Sequence, residues 1–574
     1  MKAIKYLLAI CFVVISGLSS YAQNPSEEII FKALNDEMVR SLSSLKLGKN
    51  NPPFFIANYV SQIKLYYAKA TLGALVHSKE TPNYNTNLRL MVGDYSLNDE
   101  NFQSNIQSYS SGGAQLSFPK EIDYAAIRRA FWSMSDRSYK RAVDSYTQKK
   151  TALKQQNKDE SEKVDDYLKT APITLLMNDI PLKYDKKVWE KNIKELSAIF
   201  RKYPKIQTSS VDIYFTSTNN YVINSEGSKI KEPVAVACLL VNASAQAVDG
   251  ESLKDQLTFY CPVADQLPSL ERLKQDVNKF ATELEYRCSA PVIEEPFQGP
   301  VVFEGNALVE LLNNKLLGES GLISSREPVY ATGITGGSVN KMENKIGKRI
   351  CAENISIMSV SKTKSFGDTQ LIGAFDVDAE GVVPSNGLVL VDKGILKTML
   401  SNRIPTPKVK ESNGHNRFGI WGNYMKSPGV IQVSYDNGQS YNDFLKTVAN
   451  ETTKSGLDYF YIIRRFETSN MITSVQYGSS GLSKPVAIYK VLAKTGEEKL
   501  VRLAVISEFP MLSFKYAIAG TTEQYVCNTM RWNSIPISYI APKAIAFNDV
   551  SIEKDNAPKS KCPVVESPLA ALSK

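Results

Sequence analysis

Gly299-Pro300-Val301-Val302-Phe303-Glu304-Gly305-Asn306-Ala307 runs directly into Leu308-Val309-Glu310-Leu311-Leu312-Asn313-Asn314-Lys315-Leu316-Leu317-Gly318. The first part is a short apolar run ending at a glycine, and the second places its leucines at helical spacing. A strand or loop therefore feeds an amphipathic helix. On its N-terminal side, Ala290-Pro291, Glu295-Pro296 and Gly299-Pro300 interrupt the helical periodicity of Leu270 to Cys288 and mark a domain boundary at 295/296. On its C-terminal side short strands dominate. Asp392-Lys393-Gly394 separates Gly387 to Val391 from Ile395 to Leu400 as a hairpin turn would.

Further upstream, Ile29, Ile30, Ala33, Leu34, Met38, Leu42 and Leu45 recur at helical spacing and predict an amphipathic helix over Ser26 to Leu47. Strands are expected in Phe54 to Lys64, Leu65 to His77 and Asn87 to Tyr95, with turns at Asn-Pro, Thr-Pro and Gly-Asp. Tyr124 to Asp166 reads as a long helix, a charged connection beginning at Asn157, and more helix; its charges are a solvated face. A helix is predicted over Asp185 to Tyr203, then strands over Ile206 to Ala243 with a hairpin near Tyr221 to Ser228.

The first five residues carry Lys2 and Lys5, Tyr6 to Leu18 is apolar but short for a bilayer span, and Ser20-Tyr21-Ala22 ends in small residues. This pattern predicts a signal peptide over 1–22, cleaved after Ala22, and an exported mature chain beginning at Gln23. The final location is expected to be the periplasm. No later segment is apolar enough for a membrane span. The formal charge of +9 loses two with Lys2 and Lys5, and so modest an excess gives no ground for nucleic-acid binding. Of the 7 cysteines, Cys11 lies in the signal, leaving Cys238, Cys261, Cys288, Cys351, Cys527 and Cys562. One bridge among Cys238, Cys261 and Cys288 is expected. No CxxC or Cys/His cluster points to structural zinc.

Four further stretches accompany the opening one in fixed order. Gly373-Ala374-Phe375-Asp376-Val377-Asp378-Ala379-Glu380-Gly381-Val382 precedes Leu388 to Lys397, then come Asn413-Gly414-His415-Asn416-Arg417 and Ser534-Ile535-Pro536-Ile537-Ser538. Together they resemble the C-terminal domain of the TldD/PmbA (TldD/TldE) metalloprotease family. The N-terminal half is similar more loosely, through Met91-Val92-Gly93-Asp94-Tyr95, with the helices between about 121 and 203 as an insertion. The resemblance implies that the helix after Glu310-Leu311-Leu312 is where active members carry His-Glu-x-x-x-His. There two histidines bind zinc, and the glutamate is general base toward a metal-bound water whose pKa falls to about 7. In this chain Asn313 and Gly318 occupy the ligand positions and Asn314 the base position. Asparagine is a poor zinc ligand and a poor base, and glycine has no side chain. Cys527 corresponds to the family's third ligand as a vestige, one residue out of register.

Composition agrees, because the chain has only 2 histidines, His77 and His415, neither in a metal-ligand pattern. Asp376, Asp378 and Glu380 could bind calcium or magnesium, or form a turn between strands. Ser361/Lys364 is one of several Ser-x-x-Lys pairs, and Gly478 to Gly481 and Gly336 to Ser338 read as turns. The expected architecture is α+β. An N-terminal sheet-and-helix domain (23–295) carries the helical insertion, and the C-terminal domain (296–574) is largely antiparallel and barrel-like. The resemblance implies a non-catalytic exported subunit of a TldD/TldE-like peptidase complex, helping to enclose unfolded peptides. Zinc would lie only in the partner, a zinc-bearing TldD-like paralogue. The alternatives are a standalone protein holding extended peptides by strand addition in the degenerate cleft, and a hydrolase with replaced chemistry at Ser361 or Cys527.

Overall fold

The structure, a computed structural model, describes residues 25–48, 50–104, 118–119, 121–155, 164–318, 321–331, 341–467, 482–531, 534–556, 559 and 568. The predicted signal peptide, the predicted connection after Gln155, the turns expected at 336–338 and 478–481, and Cys562 lie outside them. No described helix is long and apolar enough to cross a membrane.

The first sheet is built from strands Pro53–Thr71 and Ala74–Val92, followed by Ile206–Asn224, Lys229–Gln246 and Ser252–Cys261, with Thr174–Leu176 on its margin. Alternation sorts the faces of its first strand. Ile56, Val60, Tyr66 and Ala68 point to a layer of four helices, α1 (Pro25–Ser44), α2 (Tyr124–Gln155), α3 (Lys186–Ala198) and α4 (Leu270–Arg287). Phe55, Ala57 and Tyr59 point the other way and meet Phe418 and Tyr424 from the second half. Asp185 and Ser269 cap α3 and α4 by accepting from the backbone N–H groups of Val188 and Arg272.

The three N-terminal strands expected from the sequence are two of 19 residues each. The turn is at Leu72 and Gly73, both with positive φ, whereas Thr81-Pro82 continues the strand, with Pro82 opposite Lys64. Proline is tolerated there because Ala74–Val92 is the sheet edge, where one row of N–H groups has no partner to lose. The helix predicted to resume toward Asp166 is absent from Val164 onward, where the chain is irregular up to Thr174–Leu176.

Residues 297–554 build two further sheets enclosing one core. One has the order Ile395–Leu396, Leu388–Asp392, Ile355–Ser359, Val430–Tyr435, Ile535–Pro542, Gln524–Arg531. The other runs Glu498–Val501, Pro485–Leu492, Tyr459–Phe466, Phe297–Glu304, Ala544–Lys554, Ala504–Glu508, with Ala517–Gly520 also pairing with Ala544–Lys554. Pairing is antiparallel except between Val430–Tyr435 and Ile535–Pro542 and between Phe297–Glu304 and Tyr459–Phe466. The sheets remain open; no closed barrel forms among the described residues. Val301 and Phe303 enter the core between them, and Val302 packs beneath α6 (Tyr441–Lys454). Both faces of the strand are covered, which explains its unbroken apolar run.

The expected disulfide does not form: the five described cysteines are free. Cys238 pairs across the ladder with Tyr260 and Cys261 with Ala237, so their side chains leave opposite faces of the sheet. Cys261 and Cys288 turn instead to the carbonyls of Gln266 and Leu284.

Candidate functional site

The segment that opened the sequence reading forms a short helix, α5 (Asn306–Leu311), extended by a π turn over Leu312–Leu316. Leu308, Leu311, Leu312 and Leu316 are buried in the core between the C-terminal sheets. The opposite stripe, Asn306, Glu310 and Asn313, repeats at helical spacing and faces strands Gln524–Arg531 and Ile535–Pro542. Asn306 Oδ1 accepts from the Tyr525 hydroxyl at 2.6 Å and from the Cys527 thiol at 3.5 Å. Asn313 Oδ1 accepts from the Tyr539 hydroxyl at 3.0 Å, and Tyr539 is the cross-strand neighbour of Cys527. Cys527 therefore lies on the wall that the helix stripe faces, a proximity its sequence register left in doubt.

The positions that the resemblance assigns to zinc do not fit the metal. The Asn313 carboxamide oxygen is engaged by Tyr539, and Asn314 is exposed on another side of the helix. At Gly318 the chain turns back so tightly that a Cβ would stand 2.5 Å from the Asn314 carbonyl oxygen. Burial, with the nearby Glu310, pushes the Cys527 thiol up to about 12, and the thiol donates to Asn306 Oδ1. No group of three or more His, Cys, Asp or Glu among the described residues could hold a metal ion.

A cleft of about 740 Å3 opens beside this stripe, with Asn306, Glu310 and Cys527 on one wall and Tyr260 and Cys261 on the other. Both walls end in unpaired sheet edges, Ser252–Cys261 from the first sheet and Gln524–Arg531 from the second half. At one place the side-chain amide of Asn528 bridges them by donating to the Tyr260 carbonyl at 3.1 Å. Arg465, also on the cleft, donates to Asp255 at 2.9 and 2.8 Å and to Glu283. The Glu310 carboxyl is pushed up to about 8 by burial, against the opposing pull of Arg465.

The other sequence candidates are placed elsewhere. His77 is exposed on a strand against Tyr67. His415 is fully buried and makes a polar cluster that spacing did not reveal. Its Nε2 lies 2.9 Å from Ser359 Oγ and 3.3 Å from Ser361 Oγ, and its Nδ1 lies 2.8 Å from Asn413 Oδ1. This is the connectivity of a serine nucleophile, its base and an orienting amide, but Ser359, Ser361 and His415 are all 0% exposed and line no wall of the cleft. Burial and Arg417 hold the imidazole down to about 3, so it is neutral and serves to satisfy buried hydroxyls. Lys364 pairs with Asp376 at 3.1 Å and leaves Ser361 without a lysine base.

Asp376, Asp378 and Glu380 do not converge on a cation. Asp378 accepts from the backbone N–H groups of Glu380, Val382 and Asn416, closing a turn. Glu380 accepts from Arg89 and from the Arg403 backbone N–H. Arg89 also donates to Glu100 at 2.7 and 2.8 Å, and Arg403 to Glu226 at 2.6 Å, with Tyr167 between the two guanidinium groups. The acidic turn is thus one half of a buried clamp between the first sheet and the C-terminal loops.

Comparison with known proteins gives the same frame. Residues 298–468 match the PmbA/TldA metallopeptidase C-terminal domain. Three crystal structures share the fold. A proposed modulator of a DNA gyrase from Thermotoga maritima MSB8 has TM-score 0.55 at 12% identity, covering 87% of this chain and 96% of that one. TldE from Thermococcus kodakarensis has TM-score 0.52 at 13% identity, covering 87% and 96%. A proposed modulator of DNA gyrase from Bacteroides thetaiotaomicron VPI-5482 has TM-score 0.53 at 12% identity, covering 92% and 99%. No curated protein matches the chain. The ordered motifs, the match over residues 298–468 and the likeness along nearly the whole fold agree: residues 298–468 carry a domain that matches the PmbA/TldA metallopeptidase C-terminal domain, within a chain that shares the fold of these three structures.

Proposed function

We propose that this chain is a non-catalytic, exported member of the family, one that holds extended peptides and completes a peptide chamber together with a zinc-bearing paralogue. The observation that carries the reading is the Asn313–Tyr539 hydrogen bond. The helix is kept at the wall of the cleft, and the first ligand position is turned into a packing contact with the strand beside Cys527. Co-expression with the paralogue is expected to give a stable complex with chelator-sensitive peptidase activity. Failure of the two chains to associate would overturn the partnership.

A standalone peptide-binding role is the second reading, favoured by one specific feature. The cleft runs between two unpaired strand edges, which offer backbone donors and acceptors to an extended chain. A monomer that retains peptides uncut, with no affinity for the paralogue, would select this reading over the first.

A further inference from the structure

Glu310 is a half-buried group of the cleft that the packing of the fold leaves unused. It projects from α5 into the cleft between Asn306 and Asn313 on the same stripe. Its carboxyl has no hydrogen-bond or ion-pair partner among the described residues; of the other acids on the cleft, Glu283 and Asp276 are paired, and Asp368, also unpartnered, is exposed to solvent. Arg465 gives its donors to Asp255 and Glu283, and Asp276 is taken by Arg272 at 3.0 Å. Asn306, the nearest amide on the stripe, is engaged as an acceptor by Tyr525 and Cys527. Half-buried at the wall of an open cleft, this carboxyl is placed to accept a donor from a ligand that displaces solvent there.

Resting on the peptide reading of the cleft, we propose that Glu310 is the recognition group of a subsite for a cationic side chain, lysine or arginine, of the bound peptide. Lysine or arginine would supply both the missing donors and the missing countercharge. The acidic groups Asp255 and Glu283 beyond Arg465 offset its positive charge, so the guanidinium does not close the subsite to a cation. Lys279 is exposed on α4 at the cleft, away from the α5 stripe. Because burial keeps the Glu310 carboxyl largely protonated at neutral pH in the empty cleft, docking of a cation releases a proton. The preference for a cation therefore strengthens as pH rises toward and beyond about 8.

Three peptides of equal length, N-acetylated and C-amidated, and differing only in a central lysine, norleucine or glutamate, test this by fluorescence anisotropy on the full mature chain. At pH 9, where lysine is still charged, the lysine peptide is expected to bind about tenfold more tightly than the norleucine peptide. That ratio should shrink at pH 6 and vanish in Glu310→Gln, with norleucine binding unchanged. The pH comparison on the unaltered protein stands independently of whether the variant folds. Equal binding of the lysine and norleucine peptides at pH 9, or a preference surviving in Glu310→Gln, would overturn the subsite and leave the peptide reading intact. Binding of none of the three would overturn the peptide reading and the subsite with it.

Discussion

Tyr539 donates its hydroxyl to the Asn313 carboxamide at 3.0 Å, while Cys527 stands directly across the ladder from Tyr539. Helix and strand pair are thus joined by a neutral hydrogen bond at the position that the sequence resemblance assigns to a zinc ligand. Tyr539 is fully buried, so Asn313→Ala leaves its hydroxyl without a partner. The expected loss is about 1–2 kcal/mol in urea denaturation. Tyr539→Phe should cost less, and the two changes together should cost less than their sum.

Gly318 is required by shape. A Cβ there meets the Asn314 carbonyl oxygen at 2.5 Å, so Gly318→Ala is expected to destabilise by about 1–3 kcal/mol. For the same reason the triple change Asn313→His, Asn314→Glu, Gly318→His should not restore stoichiometric zinc, as measured by elemental analysis after dialysis against the metal. Gain of one tightly held zinc would show that the helix end reshapes more freely than its packing implies.

His415 makes stability depend on pH. Its folded pKa, about 3, lies below the unfolded value near 6.5, so between these limits the unfolded chain binds a proton that the folded chain refuses. Its contribution is fully present above about 6.5 and is lost as pH falls toward 3, at about 1.4 kcal/mol per pH unit. Glu232 acts in the opposite direction. Burial raises it to about 8, so its contribution is lost as pH rises from the unfolded carboxylate range through 8. Denaturation as a function of pH should accordingly flatten on the acid side in His415→Gln and on the alkaline side in Glu232→Gln.

Arg403 joins the two halves of the molecule. Its guanidinium pairs with Glu226 at 2.6 Å and lies 4.2 Å from the centre of the Tyr167 ring, while its backbone N–H serves Glu380. Arg403→Met strands Glu226 in a buried setting, and a loss of about 3–5 kcal/mol is expected. Replacing Glu226 with Gln in the same chain should recover part of it, because the uncompensated charge is then gone.

What could be read in the sequence follows the range of the interactions that specify it. Helical spacing located α1, α3 and α4, and the Asp392-Lys393-Gly394 turn located its hairpin, because these depend on near neighbours. Thr81-Pro82 misled, since a proline reads as a turn unless its strand is known to be an edge, and that is a property of the whole sheet. The openness of the C-terminal sheets likewise depends on which strands finally pair. Asn313, Asn314 and Gly318 were singled out as positions on one helix, but Cys527 became their neighbour only through the pairing of 524–531 with 535–542. Glu310 reads in the sequence only as part of the helix frame, because nothing in its spacing distinguishes a solvated helix acid from an unpartnered one in a cleft. The Ser359–Ser361–His415 cluster is hidden in the sequence for the same reason: His415 lies more than fifty residues from the two serines and meets them only in the fold.

The proposed role requires that this chain hold peptides without zinc chemistry of its own. Peptidase activity and zinc content of the purified protein from Gln23 onward, alone and after co-expression with a zinc-bearing paralogue, each with and without chelator, decide this. No bound zinc and no cleavage are expected of the chain alone, and chelator-sensitive cleavage of the complex. Chelator-sensitive cleavage by the chain alone, with zinc at one equivalent, would contradict the proposed role.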